Sequence, residues 1–194
     1  MNTKTRFLEK IRYYCDLGFF TEYHDLPDES IAMAIIGRQI ELYQGGVAEL
    51  FDWENDWKLL KLDSQRVIGI TPQLFYGELP PPYTLPVLME TLGALSKISR
   101  GQFMPENIIE LGQESIGFSL NGKPYNLTPL DPLDEPLILA GQINPTIAKT
   151  GYQFEVCDVP PSLYLVLLSP AEKQKLIHDK GWVFLPKRWA FFSD

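Results

Sequence analysis

The side chains able to do nucleophilic or transition-metal chemistry are few: two cysteines, Cys15 and Cys157, and two histidines, His24 and His178. Cys157 is the candidate nucleophile with a positional argument. Tyr152, Phe154 and Val156 alternate with Gln153, Glu155 and Cys157, so a strand here sets the thiol on the face away from the aromatic residues. His178 follows one strand and one helix later, where the fold can bring it beside the thiol as a base, with Asp158 or Asp179 orienting the imidazole. Two points of chemistry oppose that reading. Free cysteines act mostly as small hydrophobes, and neighbouring carboxylates raise a thiol pKa instead of lowering it. Cys15, on an apolar helix face, reads as packing, and His24 falls in a loop beside Tyr23 and Asp25. No HxH, HExxH or Cys/His ligand spacing occurs, which argues against a zinc site. GxSxG, SxxK and GxGxxG are absent as well, so serine nucleophiles and dinucleotide sites have no support. The expectation is neither a resident metal nor a cofactor.

Two further motifs fail on the residue they need most. Gly117-Phe-Ser-Leu-Asn-Gly122-Lys123 has the spacing of a phosphate-binding loop, but that loop continues with Ser or Thr into a helix, and the next residue is Pro124. Asn121-Gly122 instead suits the centre of a type I′ turn, where both residues need φ > 0. Folding about it opposes Leu120 to Lys123, Ser119 to Pro124, Phe118 to Tyr125 and Ile116 to Leu127. The large apolar residues Ile116, Phe118, Tyr125 and Leu127 then share one face. Asp52, Glu54 and Asp56 stand at positions one, three and five of a calcium loop, with Asp63 at twelve; position six, which must be glycine, is Trp57. The preferred reading of that run is a solvated acidic face beside buried Trp53 and Trp57.

The surrounding composition is that of a globular protein. The chain has 194 residues, 45% of them hydrophobic, and a net charge of −8. Such a surface repels nucleic-acid phosphates and anionic membranes and suits a basic partner. Charged residues recur through the first twenty positions without an apolar stretch after them, which argues against a signal peptide or membrane span. Cytoplasmic localisation is the default.

Periodicity supplies the elements. Phe7, Ile11, Tyr14 and Cys15 predict a helix stopped near Gly18. Pro27, Asp28 and Glu29 open a second helix, with Ile36, Ile40, Tyr43 and Val47 as its apolar stripe and Gly45-Gly46 fraying its end. Residues 57–62 and 67–71 read as two strands joined by Asp-Ser-Gln-Arg. The triple proline at 80–82 is a stiff break, followed by a helix over 85–99 with Leu85, Leu88, Leu92 and Leu95 on one face. Residues 108–111 form a short apolar run. Asn144-Pro145 resembles an N-cap and first helical residue, with Gly151 closing a short helix. Residues 163–168 are apolar on both faces, as in a central strand. Ser169-Pro-Ala-Glu172 predicts a capping box with proline at the first helical position, its helix ending near Gly181. Residues 182–185 read as a last strand.

Together these predict one α+β domain over residues 1–194, with helices packed on one face of a largely antiparallel sheet and a subdomain break at 80–82 as the alternative. No stretch matches a known family. The leading functional expectation is an acidic binding protein, of the inhibitor or immunity type, covering a basic partner. A small enzyme with a cleft near Cys157 and His178 stays open, as does a self-associating structural protein. Trp189, Phe191 and Phe192, dense aromatics at the chain end, are the interaction candidates. They either fold back or anchor another chain.

Overall fold

The computed structural model describes residues 3–43, 56–70, 85–112, 115–127, 135–159 and 162–185. The chain forms two compact units, Met1–Arg66 and Val67–Asp194, which are taken in turn. The triple proline lies outside the described residues.

In the first unit, α1 (Thr3–Asp16) buries Phe7, Ile11 and Tyr14 along one stripe. Gly18 ends the turn after it with φ 72°, its N–H bonded to the Cys15 carbonyl at 2.8 Å, the left-handed exit that glycine adopts most cheaply. Helix α2 (Asp28–Tyr43) follows Pro27, whose carbonyl accepts the N–H groups of Ser30 and Ile31. Asp28 and Glu29 meet the positive end of its dipole. The buried line on α2 is not the expected one. Ile31, Ala32, Ile35 and Gln39 are buried, Ile36 is half-buried, and Ile40 is exposed. Gly45-Gly46 and Val47 lie outside the described residues, as does the side chain of Tyr43. The reason is that α2 carries two apolar lines at helical spacing, and periodicity alone cannot say which one meets α1.

The strand expected over 57–62 is a helical turn, α3 (Trp57–Leu60). The Asp56 carbonyl accepts the N–H groups of both Leu59 and Leu60, each at 3.0 Å. Trp57, Leu59, Leu60 and Leu62 are all buried. A strand would have turned adjacent Leu59 and Leu60 to opposite faces, so the interior selects the tighter backbone.

The second unit contains two antiparallel three-stranded sheets. In one, β1 (Val67–Ile70) and β5 (Gln153–Val159) flank β6 (Ser162–Leu168). The central position of β6 agrees with its double-sided apolar pattern: Leu165, Val166, Leu167 and Leu168 are all buried. In the other sheet, β3 (Ile116–Leu120) lies between β2 (Glu106–Glu110) and β4 (Lys123–Leu127). The β3–β4 register is the one expected at every pair, from Leu120 opposite Lys123 to Ile116 opposite Leu127. Asn121 and Gly122 have φ of 52° and 74°, and the rings of Phe118 and Tyr125 stack at 5.6 Å. Pro124 sits at a hairpin position whose N–H would point away from β3, so its missing donor removes no ladder bond.

Helix α4 (Leu85–Ile98) and helix α5 (Glu135–Ile147) supply Leu92, Leu95, Ile98, Ile143 and Ile147 to a core shared with Phe103, Ile116, Phe118, Phe154, Val156, Leu165 and Leu167. Pro145 lies inside the last turn of α5, where the sequence suggested a helix start. The Asn144 side chain is engaged elsewhere. Its amide takes the Phe154 N–H at 2.6 Å and donates to the Phe154 carbonyl at 2.9 Å, satisfying the outer edge of β5. Strand β5 was expected to bury one face. Glu155 and Cys157 are buried too: α6 (Pro170–Lys180) brings Lys173 within 2.8 Å of Glu155, and the segment after α6 meets Cys157 through Val183 and Phe184. The capping box at Ser169 and Glu172 forms with Pro170 in place, and Gly181 ends α6 at φ 66°. Of the strand expected at 182–185 there is a single bridge, Phe184 to Cys157, with the Leu185 N–H on the Val156 carbonyl at 2.8 Å. Six α-helices and two antiparallel sheets among the described residues make the fold α+β. No described helix is long and apolar enough to cross a membrane.

Candidate functional site

Cys157 and His178 occupy opposite environments. The thiol is 1% exposed, and its S–H donates to the Val183 carbonyl at 3.1 Å. The imidazole is 90% exposed and holds Asp179 Oδ1 at 2.8 Å through Nδ1. Asp179 pairs with the ring, but no hydrogen bond joins the ring to the thiol. Cys15 is half-buried, and burial, helped by Asp16, Asp28 and Asp63, pushes its thiol up to about 11. A thiol held there is a poor nucleophile at neutral pH. Trp189, Phe191 and Phe192 lie outside the described residues.

Of the acidic run, Asp56 does not lie on a solvated face. Asp52 and Glu54 are outside the described residues, while Asp56 is nearly buried and paired with buried Lys10. Tyr14, one turn along α1 from Lys10, donates its hydroxyl to the same carboxylate. Asp63 is fully buried and gives one oxygen to the Phe20 N–H at 2.6 Å and the other to the Gln65 N–H at 3.1 Å. Phe20 reaches it from φ 54°, an uncommon conformation for a bulky residue, held by this bond. Burial pushes the Asp63 carboxyl above its usual range, against the pull of those two N–H groups and of Arg66. Arg66 is itself buried, over the Phe19 ring at 4.6 Å. His24 Nε2 donates to the Phe19 carbonyl at 3.1 Å. These groups bind one another and the loop between α1 and α2. Their chemistry is that of a fixed scaffold.

What the scaffold displays is the outer face of α2. Met33, Ile36, Gly37 and Ile40 fall at i, i+3, i+4 and i+7, one helix face. Met33 is 67% exposed and Ile40 52%, with Ile36 and Gly37 half-buried. The opposite line, Ile31 and Ile35, is buried. Helix α2 is therefore apolar on both sides, with one side against its own unit and one toward water. Sequence reasoning saw Ile36 and Ile40 but assigned them to the core. Comparison with protein-family models, curated proteins and solved structures finds no match.

Proposed function

We propose that this chain is an acidic binding protein that acts by covering another macromolecule, in the manner of an inhibitor or immunity protein. The observation supporting this reading is the outer line of α2, where Met33 and Ile40 lie open to water while Ile31 and Ile35 already fill the interior. Large apolar side chains grouped on a surface mark contact sites more often than chance exposure does. The enzyme alternative asks for a thiol and an imidazole acting together. It would have to draw Cys157 from beneath Val183 and fold His178 inward. The reading is tested by isolating the tagged chain from its native cell and measuring the mass of the purified species. A stoichiometric complex that dissociates on substituting Met33→Gln with Ile40→Gln supports it. A chain that elutes alone at native concentration, with a measurable thiol-dependent activity, contradicts it.

A further inference from the structure

We infer that residues 183–185, just after α6, form a strap over Cys157 that opens while the rest of the second unit stays folded; this is independent of the binding reading above. The outer edge of β5 carries the argument. On its inner side β5 pairs with β6 along its whole length, from Gln153 opposite Leu168 to Val159 opposite Ser162. On the outer side the Asn144 amide takes both backbone groups of Phe154. The next residue turned the same way is Val156, whose carbonyl accepts the Leu185 N–H at 2.8 Å. Among the described residues the strap meets β5 in one bridge, Phe184 to Cys157. The Val183 carbonyl accepts the Cys157 S–H at 3.1 Å, and the thiol beneath is 1% exposed.

The segment is anchored at its start and held more lightly beyond. The Gly181 N–H bonds to the Ile177 carbonyl at 3.0 Å, and the Trp182 N–H reaches the Leu176 carbonyl, so the chain leaves α6 fixed, with Trp182 buried. Val183 is 65% exposed, while Phe184 and Leu185 are half-buried. The Phe184 ring lies 5.8 Å from that of Trp182, and Lys173 Nζ lies 5.1 Å from its centre. Lys173 has Glu155 as its ion-pair partner, so that pair does not depend on the strap. A short, half-buried segment opens at lower cost than the core it covers. Closed, Cys157 is a packing group. Open, it is a thiol at a strand edge facing water, reactive to the extent that it ionises.

The test follows alkylation of Cys157 in the full chain by iodoacetamide over hours at mildly alkaline pH, in rising urea below the unfolding transition, with Cys15 distinguished by peptide mass. Labelling should be slow, and its rate nearly flat with urea, because opening a strap exposes little surface; labelling through unfolding climbs steeply instead. Ile116→Val, fully buried in the other sheet, lowers the stability of the unit and should leave the flat rate unchanged. Phe184→Ala removes the ring that holds the strap and should speed labelling by about tenfold. A rate that climbs with urea as unfolding does would overturn the inference. So would an Ile116→Val variant that labels faster in step with its lost stability, or a Phe184→Ala variant that labels no faster than wild type. Wild-type labelling as fast as in full denaturant would mean that the strap is not closed, and would overturn it as well.

Discussion

Asp63 commits both of its oxygens to backbone N–H groups, yet burial still raises its carboxyl above the ordinary 3.8. The native state therefore keeps this proton to higher pH than the unfolded chain does. As pH climbs from the ordinary carboxylate range through the raised native value, the unfolded state binds fewer protons and stability is lost. Asp63→Asn cannot ionise, and its amide oxygen can still accept the Phe20 N–H. In denaturant melts from about pH 3 to pH 7, the variant should gain on wild type with rising pH and then level off. A gap that stays constant, or closes, contradicts this electrostatic account. Cys157 invites a second test at the same scale. Only the thiolate reacts, so a buried thiol donating to the Val183 carbonyl should resist iodoacetamide in the native protein at neutral pH and label fully in denaturant. Rapid native alkylation of Cys157 would restore it as a nucleophile.

Among the elements, those legible in the sequence were the ones specified by adjacent residues. Asn121-Gly122 dictates its own turn, and four residues, Ser169 to Glu172, dictate the start of α6. Neither needs a distant partner. Gly122→Ala should destabilise by about 1 kcal/mol, because alanine resists the positive φ of 74° that the turn holds there. An unchanged melting curve would mean that the turn is not held in this form. The misread elements depend on what lies across from them. Residues 57–62 alternate well enough for a strand, but a helical turn buries adjacent Leu59 and Leu60 together. Asn144 has the chemistry of an N-cap, but the edge of β5 offers its amide both a donor and an acceptor. Local chemistry named the Asn144 amide correctly as a hydrogen-bonding group and missed its partner, Phe154, which lies on β5.

For the whole molecule, the α+β class was legible because strand and helix periods differ, and the acidity was legible by counting. The candidate site was not. The sequence shows that α2 has two apolar lines but cannot show which of them the first unit uses, since that choice is made by packing against α1. The account depends on that choice. If Ile31 and Ile35 form the interior line, Met33 and Ile40 are free to bind; if the lines are reversed, Met33 and Ile40 are core residues and the proposed face is not theirs. Paired denaturant melts of Ile35→Ala and Ile40→Gln test this most directly. Ile35→Ala should lose about 2–5 kcal/mol, as a truncated core side chain does, and Ile40→Gln should stay within about 0.5 kcal/mol of wild type. A large loss at Ile40 with little loss at Ile35 would contradict the account.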